Sequence, residues 1–127
     1  MKDRLRILIV DDESSLRFGI SQALTEHAVI TEASTGEEAL EKIKNSTYDI
    51  VVTDLRMPGL GGLELIRICK KISPVCFIVS SGSVDDEIRN ELLSLGVIDI
   101  LEKPFSKNRL LNAIAIWRSA QKSAAAG

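Results

Sequence analysis

Apolar residues along this chain fall into two patterns that take turns. Short, near-continuous runs occur at 6–10 (RILIV), 28–33 (AVITEA), 49–54 (DIVVTD), 75–80 (VCFIVS) and 97–102 (VIDILE), and each reads as a strand. Between them the apolar positions change to helical spacing. Leu16, Ile20, Ala23 and Leu24 make one stripe, and Ala39, Leu40 and Ile43 a second. Leu65, Ile68, Cys69 and Ile72 make a third, Ile88, Leu92 and Leu95 a fourth, and Leu110, Ile114 and Trp117 a fifth. Strict alternation of five strands with five helices predicts an α/β fold, a doubly wound five-stranded parallel sheet covered by helices on both faces.

Local signals agree. TGEE (35–38) and SVDD (83–86) each place a hydroxyl three residues before an acid, as a helix N-terminus prefers. PG at 58–59 and GG at 61–62 mark a loop before the third helix. The segment SAQKSAAAG is the one low-complexity stretch, so the expected domain is 1–118, with 119–127 a flexible tail, a linker or an appended remnant.

With 127 residues, 45% of them hydrophobic, the chain suits one domain with its own core. Sixteen Lys and Arg against eighteen Asp and Glu leave a net charge of -2, which argues against direct binding of nucleic acid or of an anionic membrane surface. After MKDRLR only four strongly apolar residues, 7–10, precede Asp11, and no later run approaches the roughly 18 of a membrane span; the expected location is cytoplasmic. Cys69 and Cys76 fit no zinc or C-x-x-C pattern and read as reduced core thiols.

In such a sheet, ligands bind beyond the carboxyl ends of the strands, where strand order reverses. The first strand ends in Asp11 and Asp12, the third in Asp54, the fourth in Ser80 and Ser81, and the fifth in Glu102, Lys103 and Pro104. In the order 2-1-3-4-5 the reversal lies between strands one and three, so all three aspartates surround one crevice. Adjacent acids repel unless a positive charge is near. Three hard carboxylate ligands suit Mg2+, Lys103 supplies a mobile point charge, Ser81 a hydroxyl donor, and Gly82 lets backbone pass close to a ligand. This is a site for phosphoryl transfer with an aspartate nucleophile. Asp54 is the candidate by elimination, because Asp11 and Asp12 form a natural metal pair.

Four motifs, ILIVDDE (7–13), DIVVTDLRMPGLGGLEL (49–65), FIVSSGS (77–83) and ILEKPF (100–105), resemble the receiver domain of two-component response regulators. The likeness runs from about Leu5 to Trp117. It implies a flavodoxin-like fold and a phosphorylation-dependent signalling switch in which Asp54 is the phosphoacceptor, served by a sensor histidine kinase or phosphotransfer protein. It implies Mg2+ held directly by Asp12, through water by Asp11, and by the phosphoacceptor and the backbone carbonyl of Arg56. Lys103, with a cis peptide before Pro104, and the amide of Gly82 would contact the phosphoryl group, and the Ser81 hydroxyl would turn toward it on activation. Arg56 and Ser83 occupy positions that modulate phosphoryl lifetime in the family. The chain departs from the pattern at Ile100, where the switch position usually carries an aromatic ring. Output would pass to an attached domain or a downstream protein, with a phosphorylation-dependent homodimer left open. Such a receiver assists its own phosphorylation and slow dephosphorylation but is not a multiple-turnover enzyme.

The rival readings are weaker. A phosphatase of the aspartyl-phosphate class wants a second Asp two positions after its nucleophile, and here those positions hold Glu13 and Arg56. A module that never turns over phosphate has no use for the complete acid, hydroxyl and lysine set. GLGGLE lacks the third glycine of the dinucleotide fingerprint, and no phosphate-binding G-x-x-x-x-G-K-[ST] occurs. His27, the only histidine, is expected to be exposed after the first helix. Phe105 and Trp117 read as packing for the last helix, and the acids at 85–87 as favourable charge at a helix N-terminus.

Overall fold

The computed structural model describes residues 4–126. Its elements alternate as β1 (Leu5–Val10), α1 (Ser14–Leu24), β2 (Ala28–Ala33), α2 (Gly36–Asn45), β3 (Ile50–Asp54), α3 (Gly62–Ile72), β4 (Cys76–Ser81), α4 (Asp86–Ser94), β5 (Asp99–Glu102) and α5 (Lys107–Ala126). All four strand pairings are parallel, and the order is β2-β1-β3-β4-β5. This is the predicted doubly wound, flavodoxin-like sheet.

Successive residues of a strand point to opposite faces, and the core divides accordingly. Leu8, Val10, Val51, Phe77, Val79 and Ile100 face one layer, closed by residues of α2, α3 and α4 such as Ile43, Leu65, Cys69 and Leu92. Ile7, Ile9, Ile50, Val52, Ile78 and Leu101 face the other, closed by Ile20 and Leu24 of α1 and Leu110, Ala113 and Ile114 of α5. Phe105 and Trp117 pack against that second layer. His27 is exposed just after α1.

Several boundaries differ from the sequence reading, each for a local reason. The fifth strand begins at Asp99 rather than Val97, because the Val97 amide still donates back to the Leu92 carbonyl at the end of α4. Ser81 extends the fourth strand by pairing with Glu102. Thr35 caps α2 through its hydroxyl, 3.0 Å from the Glu38 amide, but at α4 the cap is Asp85, whose carboxylate accepts the Ile88 amide at 2.8 Å, not Ser83. Cys69 is buried as expected, whereas Cys76 is only half-buried. Helix α5 continues through Ala126, across the 118/119 boundary drawn from composition. No helix among the described residues is long and apolar enough to cross a membrane.

Candidate functional site

The carboxyl ends of β1 and β3 lie side by side, and Asp11, Asp12 and Asp54 converge there with carboxylate oxygens within 4.8 Å of one another. Asp11 is 1% exposed and Asp54 7%, whereas Asp12 lies open at the mouth. Hard oxygen donors so arranged fit Mg2+, which takes one or two carboxylates and keeps several waters.

Lys103 enters from beyond β5. Its Nζ stands 3.1 Å from Asp11 Oδ2 and 3.2 Å from Asp54 Oδ2. Burial alone would pull its pKa down, but the hydrogen bond to Asp11 and the charges of Asp54 and Asp11 outweigh that, and the ammonium is held above its ordinary value. The Lys103–Pro104 peptide is cis, as the resemblance implied, and the Lys103 amide donates to the Ser81 carbonyl at 2.8 Å. The second oxygen of Asp11 accepts the Glu13 amide at 2.9 Å, and that of Asp54 faces the Arg56 amide at 3.4 Å.

Two glycines shape the loop after β3. A Cβ on Gly62 would lie 2.2 Å from the Asp54 carbonyl oxygen. Gly59 has φ +76, and the neighbouring Leu60 amide donates to Glu37 Oε2 at 2.9 Å, fastening the loop to α2.

The model of the response regulator receiver domain family matches residues 7–115. The chain belongs to this family. The general function of receiver domains is that of a phosphoacceptor signalling switch. The chain is 35% identical to the chemotaxis protein CheY of Thermotoga maritima, over 86% of this chain and 93% of that protein. It is 36% identical to YesN, an uncharacterized transcriptional regulatory protein of Bacillus subtilis, over 86% of this chain but only 31% of YesN. The chain thus spans about a third of some curated relatives and nearly all of others. Among solved structures, a CheY-like receiver domain protein from Methanospirillum hungatei JF-1 superposes with a TM-score of 0.89 at 28% identity, over 95% of this chain and 98% of that one.

The remaining predicted positions of the receiver sit around this pocket in different ways. The Ser81 hydroxyl donates to the Ser83 carbonyl at 3.1 Å, so it is turned to its own loop. Gly82 is exposed, with open space where a Cβ would stand; the conformation here does not require glycine. Arg56 is exposed beside the acids. Ile100 is buried in the layer formed with α2, α3 and α4.

Sequence reasoning missed Gly62, Glu37 and Arg17. The guanidinium of Arg17 donates from Nη1 to the Asp11 carbonyl at 2.6 Å and from Nε to Glu32 at 3.1 Å. The available signal was an arginine beside the apolar stripe of α1, on a helix that begins at Ser14, two residues after the repelling pair.

Proposed function

We propose that this receiver takes a phosphoryl group on Asp54 from the phosphohistidine of a sensor histidine kinase or phosphotransfer protein. An Asp54 oxygen attacks phosphorus, the new P–O bond forms as the P–N bond breaks, and the leaving imidazole nitrogen keeps the bonding pair and takes up a proton. The observation that carries this reading is Lys103 bridging two buried carboxylates, because a cation so placed can follow charge onto the phosphoryl oxygens without reorganising the pocket.

Asp12, open at the mouth, would be the direct ligand to Mg2+. Asp11, with both oxygens engaged by Lys103 and the Glu13 amide, would act through metal-bound water. Asp54 and the Arg56 carbonyl complete the protein's share. When bound, Mg2+ would supply positive charge that offsets that of the acids and of the incoming phosphoryl group. The Gly82 amide is a further phosphoryl donor.

Release of the Ser81 hydroxyl from Ser83 toward the phosphoryl group would shift a pre-existing equilibrium at the α4 and β5 face, with Ile100 as an apolar element of that change. The domain, taken as 1–118, acts as a stoichiometric switch rather than a multiple-turnover enzyme. It works in the cytoplasm on an output domain or partner, neither nucleic acid nor membrane being its direct ligand. Residues 119–122 of α5, all exposed, are the natural connection to such an output, and a homodimer formed on phosphorylation would use the α5 and β5 face.

Incubation with Mg2+ and acetyl phosphate, read by intact mass, tests the reading. Wild type should gain one phosphoryl group and Asp54→Asn none. A wild type that gains none, or an Asp54→Asn variant that gains one as readily, overturns it.

A further inference from the structure

We infer that Arg17 is a positioning residue for the metal-binding acids, acting on the peptide unit that joins Asp11 to Asp12. This rests on the assignment of Asp12 as a direct Mg2+ ligand. The Asp11 carbonyl belongs to the same rigid plane as the Asp12 amide, so the 2.6 Å hydrogen bond from Arg17 Nη1 fixes the direction in which the chain leaves β1. At the other side of Asp11, its amide donates to the Ala33 carbonyl at 3.2 Å. The buried acid is therefore held through its main chain from both directions. Asp12 is exposed, and its aim depends on the backbone that carries it.

Arg17 is itself braced. Its side chain is 17% exposed, and Nε lies 3.1 Å from Glu32 Oε1 on β2. The other Glu32 oxygen accepts the Ser21 hydroxyl at 3.0 Å. The planar guanidinium thus spans from a strand-end carboxylate to a carbonyl at the site, a two-point contact that a lysine ammonium does not reproduce. Outer groups that orient metal ligands in this way typically change metal affinity about 10–100-fold when removed.

A positioning role and a mere charge make opposite predictions. Removing a cation near three acids should, by charge alone, tighten binding of a divalent ion; losing the alignment of Asp12 should weaken it. Calorimetric titration with Mg2+ alone, without phosphodonor, on wild type, Arg17→Gln and Arg17→Lys separates the two, and Glu32→Gln reports on the brace behind Arg17. Arg17→Gln should bind Mg2+ on the order of tenfold more weakly. Arg17→Lys, with its charge intact, should also bind more weakly, and Glu32→Gln should move the same way by less. At saturating Mg2+ the phosphorylation rate of Arg17→Gln should recover toward wild type.

Equal or tighter binding by folded Arg17→Gln, or full wild-type affinity in Arg17→Lys, overturns the inference while leaving phosphorylation of Asp54 standing. If Arg17→Gln fails to fold, Arg17→Lys decides it, and unchanged affinity in that variant overturns it. A wild type that binds no Mg2+ defeats the metal assignment, and the role of Arg17 with it.

Discussion

The Lys103 ammonium lies 3.2 Å from the Asp54 carboxylate. The residues are 49 positions apart in sequence, yet that one contact ties the loop after β5 to the end of β3 across the intervening strand β4. The lysine does two things in the resting receiver. It offsets the mutual repulsion of acids that folding has withdrawn from water, and on the proposed function it stands ready to contact the phosphoryl group on Asp54.

Replacing Lys103 should therefore cost stability as well as function. Lys103→Met leaves Asp11 and Asp54 without their cation, and the expected loss is about 2 kcal/mol, below that of a fully enclosed pair because the lysine side chain is 19% exposed. Added Mg2+ should restore part of that loss and raise the melting temperature more than it does in wild type. Thermal melts with and without Mg2+ check this; equal metal-induced shifts in the two proteins would falsify the charge-offset role.

The glycines separate backbone constraint from motif membership. Gly62→Ala puts a methyl group 2.2 Å from the Asp54 carbonyl and 2.9 Å from the Leu55 Cα, so backbone must move next to the acid. The expected cost is about 3 kcal/mol, with slower phosphorylation by acetyl phosphate. Gly82→Ala meets nothing within 4 Å and should leave stability within about 0.5 kcal/mol of wild type. Denaturation midpoints for the pair check the contrast.

These glycines also show where sequence reading stops. Near-continuous apolar strands, helical stripes and strand-end acids were legible because burial and charge act through side-chain type, which sequence records directly. The convergence of Asp11, Asp12 and Asp54 followed from strand order. The close approach of Gly62 to the Asp54 carbonyl, the Leu60 amide on Glu37 and the Asp11 carbonyl on Arg17 are contacts with main-chain atoms, which every residue carries alike. The cap of α4 was misread for a related reason: Ser83 and Asp85 both have capping chemistry, and only the path of the loop selects between them.

Cys69 makes stability depend on alkaline pH. Burial pushes its thiol up to about 11 from an ordinary value of 9.0. Above about pH 9 the unfolded chain therefore loses a proton that the folded chain retains, and stability falls until the folded thiol ionises. Two pH units correspond to a loss on the order of 3 kcal/mol. Lys103, also raised, acts in the same direction, its contribution being present below its ordinary 10.5 and lost only as pH passes its folded value. Urea denaturation at about pH 8 and pH 10.5 should show a decline that is shallower in Cys69→Ala. An identical decline in that variant would place the pH dependence elsewhere.

Ser81 and Ile100 should divide the switch into chemistry and transmission. Val79 pairs with Ile100 and Ser81 with Glu102, so Ser81 and Ile100 lie on the same face of adjacent strands, one diagonal step apart. Ser81→Ala removes only a hydrogen bond to the Ser83 carbonyl in the resting state, a cost of about 1 kcal/mol, and leaves Asp54, the proposed acceptor, in place. It should still gain a phosphoryl group from acetyl phosphate. Ile100→Ala, by contrast, opens a cavity in the layer beneath α4 and should cost about 2–4 kcal/mol. In wild type, phosphorylation should change amide hydrogen exchange along Asp86–Ser94 and Asp99–Glu102; in phosphorylated Ser81→Ala that change should be absent. Retention of the full exchange change in Ser81→Ala would mean that the hydroxyl does not carry the signal, and that the packing around Ile100 responds to the phosphoryl group by another route.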